Sequence, residues 1–240
     1  MAMPLQAEAE EWKYLIGAGV GAAPDYEGSD DYQAVPVLVG RAQYGKRYID
    51  LTGTTVRANL LGGPVFSAGP VINYRGERDD VDDNQVDDLD KVDAAIELGG
   101  FIGFSHEGWS GRVTLTHDVS DAHDGFLLNL RTGYRAKLAP GWSLTTTVSS
   151  TYADSDYMDT YFSIDAGDSA ASGLDEFDAD SGFKDVGLNL RLAWGQKTGW
   201  GAAAIGSYTR LIGDAEDSPV VDDAGDENQF FGGLAVTYAF

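Results

Sequence analysis

A chain of 240 residues that is 43% hydrophobic and holds 31 glycines has room for one large all-β domain, and no Pro/Ser-rich linker divides it. A net charge of -23 excludes a nucleic-acid-binding surface, which needs clustered Lys and Arg. The lack of cysteine excludes a disulfide framework and a thiolate metal site, and it suits a chain that crosses an oxidising periplasm without staples.

Residues 1–11 have neither a basic n-region nor an apolar h-region, so a signal peptide is read as absent from or removed in this chain. Leu5-Gln6-Ala7 before Glu8 fits the tail of a cleavage site. Residues 1–11 are therefore set apart as a mature N-terminal segment, and 12–240 as a single domain. No run of about 18 apolar residues follows, which excludes a membrane-spanning helix but not a spanning strand.

Alternating segments follow in order: Trp12 to Gly21, Val35 to Gln43, Pro64 to Arg75, Ala94 to Phe104, Trp109 to Val119, Phe126 to Leu138, Trp142 to Tyr152, Phe183 to Trp194, Trp200 to Arg210 and Phe230 to Phe240. Arg47 to Leu60, between the second and third, reads as two short strands meeting at Thr52-Gly53-Thr54. Counting both gives twelve strands, an even number that puts both ends of the barrel on one side. Ten is the alternative, with that segment as a periplasmic excursion.

Within a segment the two faces differ. Trp109, Gly111, Val113, Leu115 and Val119 share one, whereas Ser110, Arg112, Thr114, Thr116 and Asp118 share the other. A water-soluble sandwich also alternates, so the connections must choose between water and lipid on the apolar side. Short turns fall at Tyr44 to Lys46, Ser105 to Gly108, Ala139 to Gly141 and Gly195 to Thr198. Long polar ones fall at Ala23 to Tyr32, Gly76 to Val92, Asp154 to Gly182 and Ile212 to Gln229, with a shorter one at Asp121 to Asp124. That asymmetry is the outer-membrane pattern, with the short side periplasmic.

Two further features agree. Trp12, Trp109, Trp142, Trp194 and Trp200 all fall at the short-turn ends of strands, where indole prefers the headgroup interface. Of the 39 acidic residues, 31 lie in these connections, 9 of them in Glu77 to Asp93, leaving the apolar strand faces almost free of charge. The expected fold is an all-β, transmembrane, antiparallel up-and-down β-barrel with short periplasmic turns and long acidic extracellular loops. The alternation of Leu234, Val236, Tyr238 and Phe240 is that of a closing strand.

Several segments together resemble the MipA/OmpV family, the MltA-interacting outer-membrane proteins. They are Ala23 to Tyr32 (APDYEGSDDY) followed by Val35-Pro36-Val37, Tyr157 to Ile164 (YMDTYFSI), Ser172-Gly173-Leu174 through Phe177 to Gly182, Leu211 to Val221 (LIGDAEDSPVV) and Tyr238-Ala239-Phe240. The resemblance covers most of the chain in order. It implies an outer-membrane barrel of a Gram-negative bacterium, embedded among lipid and lipopolysaccharide. It also implies a non-enzymatic scaffold that links a murein-degrading lytic transglycosylase to a murein synthase. A small-solute channel and a surface adhesin are the competing expectations. The family has no agreed catalytic motif, so no catalytic, cofactor-binding or metal residue is carried over.

The residues themselves offer three constellations. His117-Asp118 and His123-Asp124 are the candidates for acid/base work, His106 lying in a short turn. With no nucleophile signature beside them, they read as surface histidines. Asp79 to Asp83 and Asp87 to Asp90 invite a loose Ca²⁺ or Mg²⁺ reading but lack the central Gly and terminal Glu of an EF-hand, so solvated, mutually repelling loops are expected. Glu97, Arg112, Arg131, Arg135 and Arg191 face inward as a mixed-charge set, expected to pack the bore; an arginine-lined pore for small anions is the alternative.

Overall fold

The computed structural model describes residues 11–240, so residues 1–10, including the Leu5-Gln6-Ala7 motif, lie outside the described residues. Twelve strands run in chain order: β1 (Trp12–Pro24), β2 (Tyr32–Tyr44), β3 (Arg47–Thr52), β4 (Thr55–Asn59), β5 (Phe66–Arg75), β6 (Ala95–His106), β7 (Trp109–Asp118), β8 (Phe126–Ala139), β9 (Trp142–Ala153), β10 (Gly182–Trp194), β11 (Gly199–Leu211) and β12 (Asn228–Ala239). Each pairs antiparallel with its sequence neighbours, and β12 pairs with β1 to close the barrel. Closure removes the unpaired edge that lipid could not hydrogen-bond.

Pleat alternation then fixes what each side chain meets. Ile16, Val20, Ile72, Ile102, Leu115, Val148, Leu188 and Leu234 are exposed on the outer wall, whereas a soluble protein would bury most of them. Trp12, Trp109, Trp142, Trp194 and Trp200 are exposed at the short-turn end, as expected from their positions. A second aromatic belt, including the Tyr152–Phe183 and Tyr208–Phe230 contacts, rings the opposite end. Two girdles bracketing an apolar band are what the two lipid interfaces select.

The short turns are tighter than the sequence suggests. Ser105 and His106 remain in register with Ser110 and Trp109, leaving Glu107 and Gly108 as a two-residue turn with φ of 50° and 89°. Positive φ at both central residues matches the twist of the flanking strands.

The segment 47–60 does form two strands, and their shortness shapes the wall. Val39 of β2 pairs with Thr52, Thr52 with Thr55, and Thr55 with Asn73 of β5. Above that level β2 continues to Tyr32, paired only with β1. Leu38 carbonyl still accepts from Gly53 N–H, so the backbone groups of Pro36, Ala34 and Tyr32 face the gap beyond the hairpin tip. Proline suits that edge because it has no N–H to leave unpaired.

The long loops are where the structure departs from expectation. Instead of repelling one another in solvent, they fold into short helices that pack as a cap over the outer end: α1 (Asn84–Asp87), α2 (Ser155–Phe162), α3 (Ala166–Ser172), α4 (Asp214–Asp217) and α5 (Pro219–Asp222). Tyr157, Met158, Phe162, Ile164, Leu211, Val220 and Val221 are fully buried there. The described residues thus place their most deeply buried apolar side chains under the loops.

The acidic residues explain themselves locally. Asp83, Asp154 and Asp165 accept from backbone N–H groups at the starts of α1, α2 and α3. A carboxylate at a helix N-terminus satisfies orphan donors and favours the dipole, so repulsion between loops is offset by local bonding.

Candidate functional site

A buried polar network lies under the cap at the outer end of the bore, beside a cavity of about 360 Å³ lined by Glu27, Arg75, Tyr161, Ser207 and Thr209. Glu97, third residue of β6, is only 2% exposed. Its carboxylate accepts from Arg75 Nε at 2.8 Å, Asn73 Nδ2 at 3.1 Å and Thr116 Oγ1 at 3.2 Å. Glu27, in the loop after β1, accepts from Tyr157 Oη at 2.6 Å and from Lys184 Nζ. Arg75 Nη1 lies 3.9 Å from Glu27, so one guanidinium spans two carboxylates. Lys184 Nζ also reaches Asp185 Oδ2 at 3.1 Å. Burial alone would raise the Glu27 carboxyl, but Lys184 and Arg75 hold it below the ordinary range. Burial pushes the Tyr161 hydroxyl up to about 12, so it stays a neutral phenol.

The cap is tied to this network and to itself across long sequence separations. Arg78 Nη1 donates to Tyr161 O at 2.9 Å, Ser218 Oγ to Phe162 O at 2.6 Å and Tyr26 Oη to Ala224 O at 3.0 Å. Each bond joins a different pair of loops, so the roof is one cross-linked unit.

The histidines divide. His117 faces outward and is exposed, and Gly125 O lies 3.0 Å from its Nδ1. His123, expected at the surface, is instead fully buried, its ring packed edge-on against Tyr157 with centroids 5.1 Å apart. The correction has a physical cause. Asp118, at the end of β7, accepts from the N–H groups of Ser120, Ala122, His123 and Asp124 at 2.6–3.2 Å, which curls the 119–125 loop inward. His123 Nδ1 accepts from Gly125 N–H at 3.1 Å, so the ring proton sits on Nε2, 3.6 Å from Glu97. Among the described residues no hydroxyl hydrogen-bonds a histidine nitrogen, and no group of three or more His, Asp and Glu side chains is placed to hold a metal.

Replacing Asp118 by Ala is expected to release the 119–125 loop at a cost of about 2–4 kcal/mol, since several charge-assisted bonds go at once. Amide exchange at Ala122 and His123 checks this: unchanged protection would show that Asp118 does not hold the loop.

Below the network the bore is different. Arg112, Arg131, Arg135 and Arg191 point inward as expected, joined by Arg41 and Arg57 from β2 and β4. They do not fill the bore: cavities of about 560 Å³ and 610 Å³ remain, both reaching residues of the short turns. Glu97 does not belong to this set, because it sits one layer higher with Arg75. Sequence alternation identified the inward face but could not assign its charges to levels along the axis.

The family model described as MltA-interacting protein MipA matches residues 16–240. The outer membrane protein Omp26La of Vibrio anguillarum is 28% identical over 192 residues, 80% of this chain and 72% of that protein. The outer membrane protein OmpV of Vibrio cholerae is 26% identical over 213 residues, covering 88% and 80%. Among solved structures, an outer membrane channel from Pseudomonas putida F1 aligns over 100% of both chains with a TM-score of 0.49 and 11% identity. The chain belongs to the MipA family, and it is a twelve-stranded β-barrel of the bacterial outer membrane.

Proposed function

We propose that this barrel is a non-enzymatic scaffold that offers its periplasmic end to murein-processing enzymes, a lytic transglycosylase first and a murein synthase with it. One observation carries the reading: five helical loop segments lock into a roof over the bore, with Phe162 and Tyr157 at its centre. A standing diffusion pore has no use for such a roof, whereas a protein that works from its periplasmic face loses nothing by it. The family description supplies the partner class, since it names an interaction with MltA.

The test pairs two measurements on the purified full chain. In planar bilayers no conductance steps are expected, and the immobilised barrel is expected to retain a purified MltA-type lytic transglycosylase. The channel reading draws on the two lumenal cavities. Regular conductance steps together with no retention of the transglycosylase would replace the scaffold by that reading.

A further inference from the structure

The protein carries 39 acidic against 16 Lys and Arg residues, yet the walls of its lower bore are cationic. Arg41, Lys46, Arg112, Arg131, Arg135 and Arg191 line the two lumenal cavities, and Asp50 is the one carboxylate lining either. Asp50 is already engaged, its two oxygens each 3.3 Å from Arg57. Among the described residues none of the six cations makes an ion pair.

Their neutral partners are few. Arg41 Nε donates to Gln43, Arg131 Nε to Asn129 and Arg135 Nη2 to Ser143. Arg112 Nε is buried without a partner, and its guanidinium carbon lies 5.3 Å from the Phe101 ring centroid. Most guanidinium N–H groups therefore remain available to an occupant.

Geometry concentrates this charge. Arg41, Arg131 and Arg191 line both cavities, so they stand at the waist between two chambers. Thr147 lines both as well and adds a hydroxyl. Like charges held together inside a low-dielectric wall repel, and the field is relieved only by an anion from outside. Volumes of about 560 and 610 Å³ lie within the ordinary range for small-molecule sites.

We propose that the lower bore is a binding site for a small multivalent oxyanion, bearing phosphate or carboxylate groups, that enters from the periplasm. Guanidinium forks recognise both groups in bidentate fashion, which is why the class is defined by its oxygens. The periplasmic side is the entrance because both cavities reach turn residues there: Lys46 in one, Gly141 and Gly195 in the other. The roofed outer end is covered by acidic loops that repel such a ligand. The inference rests on the barrel alone and stands whether or not the scaffold reading does.

Isothermal titration of the full chain in dodecylmaltoside, with citrate and with tripolyphosphate as probes and glucose as the neutral control, tests it. Saturable binding of at least one anion is expected, weakened about tenfold or more in R131Q/R191Q and left unchanged by K91Q on an exterior loop. The affinity should fall as salt rises, and the preferred probe names the group as carboxylate or phosphate. R131K/R191K keeps the charge but loses the planar fork, so it should bind several-fold more weakly than the native chain. It serves as the variant if R131Q/R191Q fails to show the compact mobility of an unheated barrel on gels. No saturable heat with either anion, or equal affinity in the native chain and the available variant, would overturn the proposal.

Discussion

Phe162→Ala will loosen the cap and leave the barrel standing. Phe162 is fully buried among Tyr157, Met158, Leu211 and Val221, and its backbone carbonyl receives Ser218 Oγ. Truncating a buried Phe costs about 3–5 kcal/mol through lost transfer energy and the cavity left behind. The wall does not share that loss, because its strands are held by ladder hydrogen bonds and by lipid. Amide exchange over residues 154–181 should accelerate sharply, while the unheated protein keeps its compact gel mobility. Conductance steps should appear in a bilayer where the native chain is silent. Retained protection across 154–181 would mean that the cap is not built on this aromatic core.

Glu97→Ala is expected to have a comparable effect by a different route. It strips Arg75 of its nearest carboxylate, leaving Glu27 at 3.9 Å, and it deprives Asn73 and Thr116 of an acceptor. Breaking a buried ion pair from one side costs about 3–5 kcal/mol, since a charge is left without compensation. Glu97→Gln should cost less, because an amide oxygen still accepts. The temperature at which the barrel loses its compact gel mobility separates the two variants. If it falls equally in both, the retained acceptor contributes nothing and the loss of the carboxylate's charge accounts for the whole effect.

The same network sets a pH dependence. Burial disfavours the Glu27 carboxylate, but Lys184 and Arg75 outweigh it and hold the folded-state value below the ordinary 4.5. A lowered folded-state value stabilises the cap fully above 4.5, and the contribution is lost as pH falls through the depressed value. Cap amides should therefore lose protection relative to their intrinsic exchange rates in mild acid, with E27Q flattening the protection profile. A native profile that is flat between pH 6 and pH 3 would remove Glu27 from this role.

Much of the barrel was legible because lipid imposes simple rules. A strand with one face in hydrocarbon and one in water must alternate, as Trp109 to Val119 does. Tryptophans must sit at the interface, and the last strand must pair with the first. The segment 47–60, for which twelve and ten strands were both even counts, formed two short strands of the wall. The cap was not legible, because its helices are four to eight residues long and its core is assembled from loops far apart in the chain. Its one clear local signal was a set of aspartates placed to cap helices, and these read more simply as solvated acid. His123 was misplaced for the same reason: nothing beside it in sequence reveals that Asp118 folds it inward beneath Tyr157.

The sequence by itself determined the membrane, the gathering of the short turns at one end of the barrel, the strand pattern and the inward face of the arginines. All of these depend on period-2 alternation and turn chemistry, which are properties of neighbouring residues. Only the tertiary structure decided that the loops form a roof, that Glu97 and Arg75 anchor it, and that the remaining arginines surround open volume. Those outcomes depend on which loop meets which and at what height along the bore, and such contacts join residues as far apart as Tyr26 and Ala224.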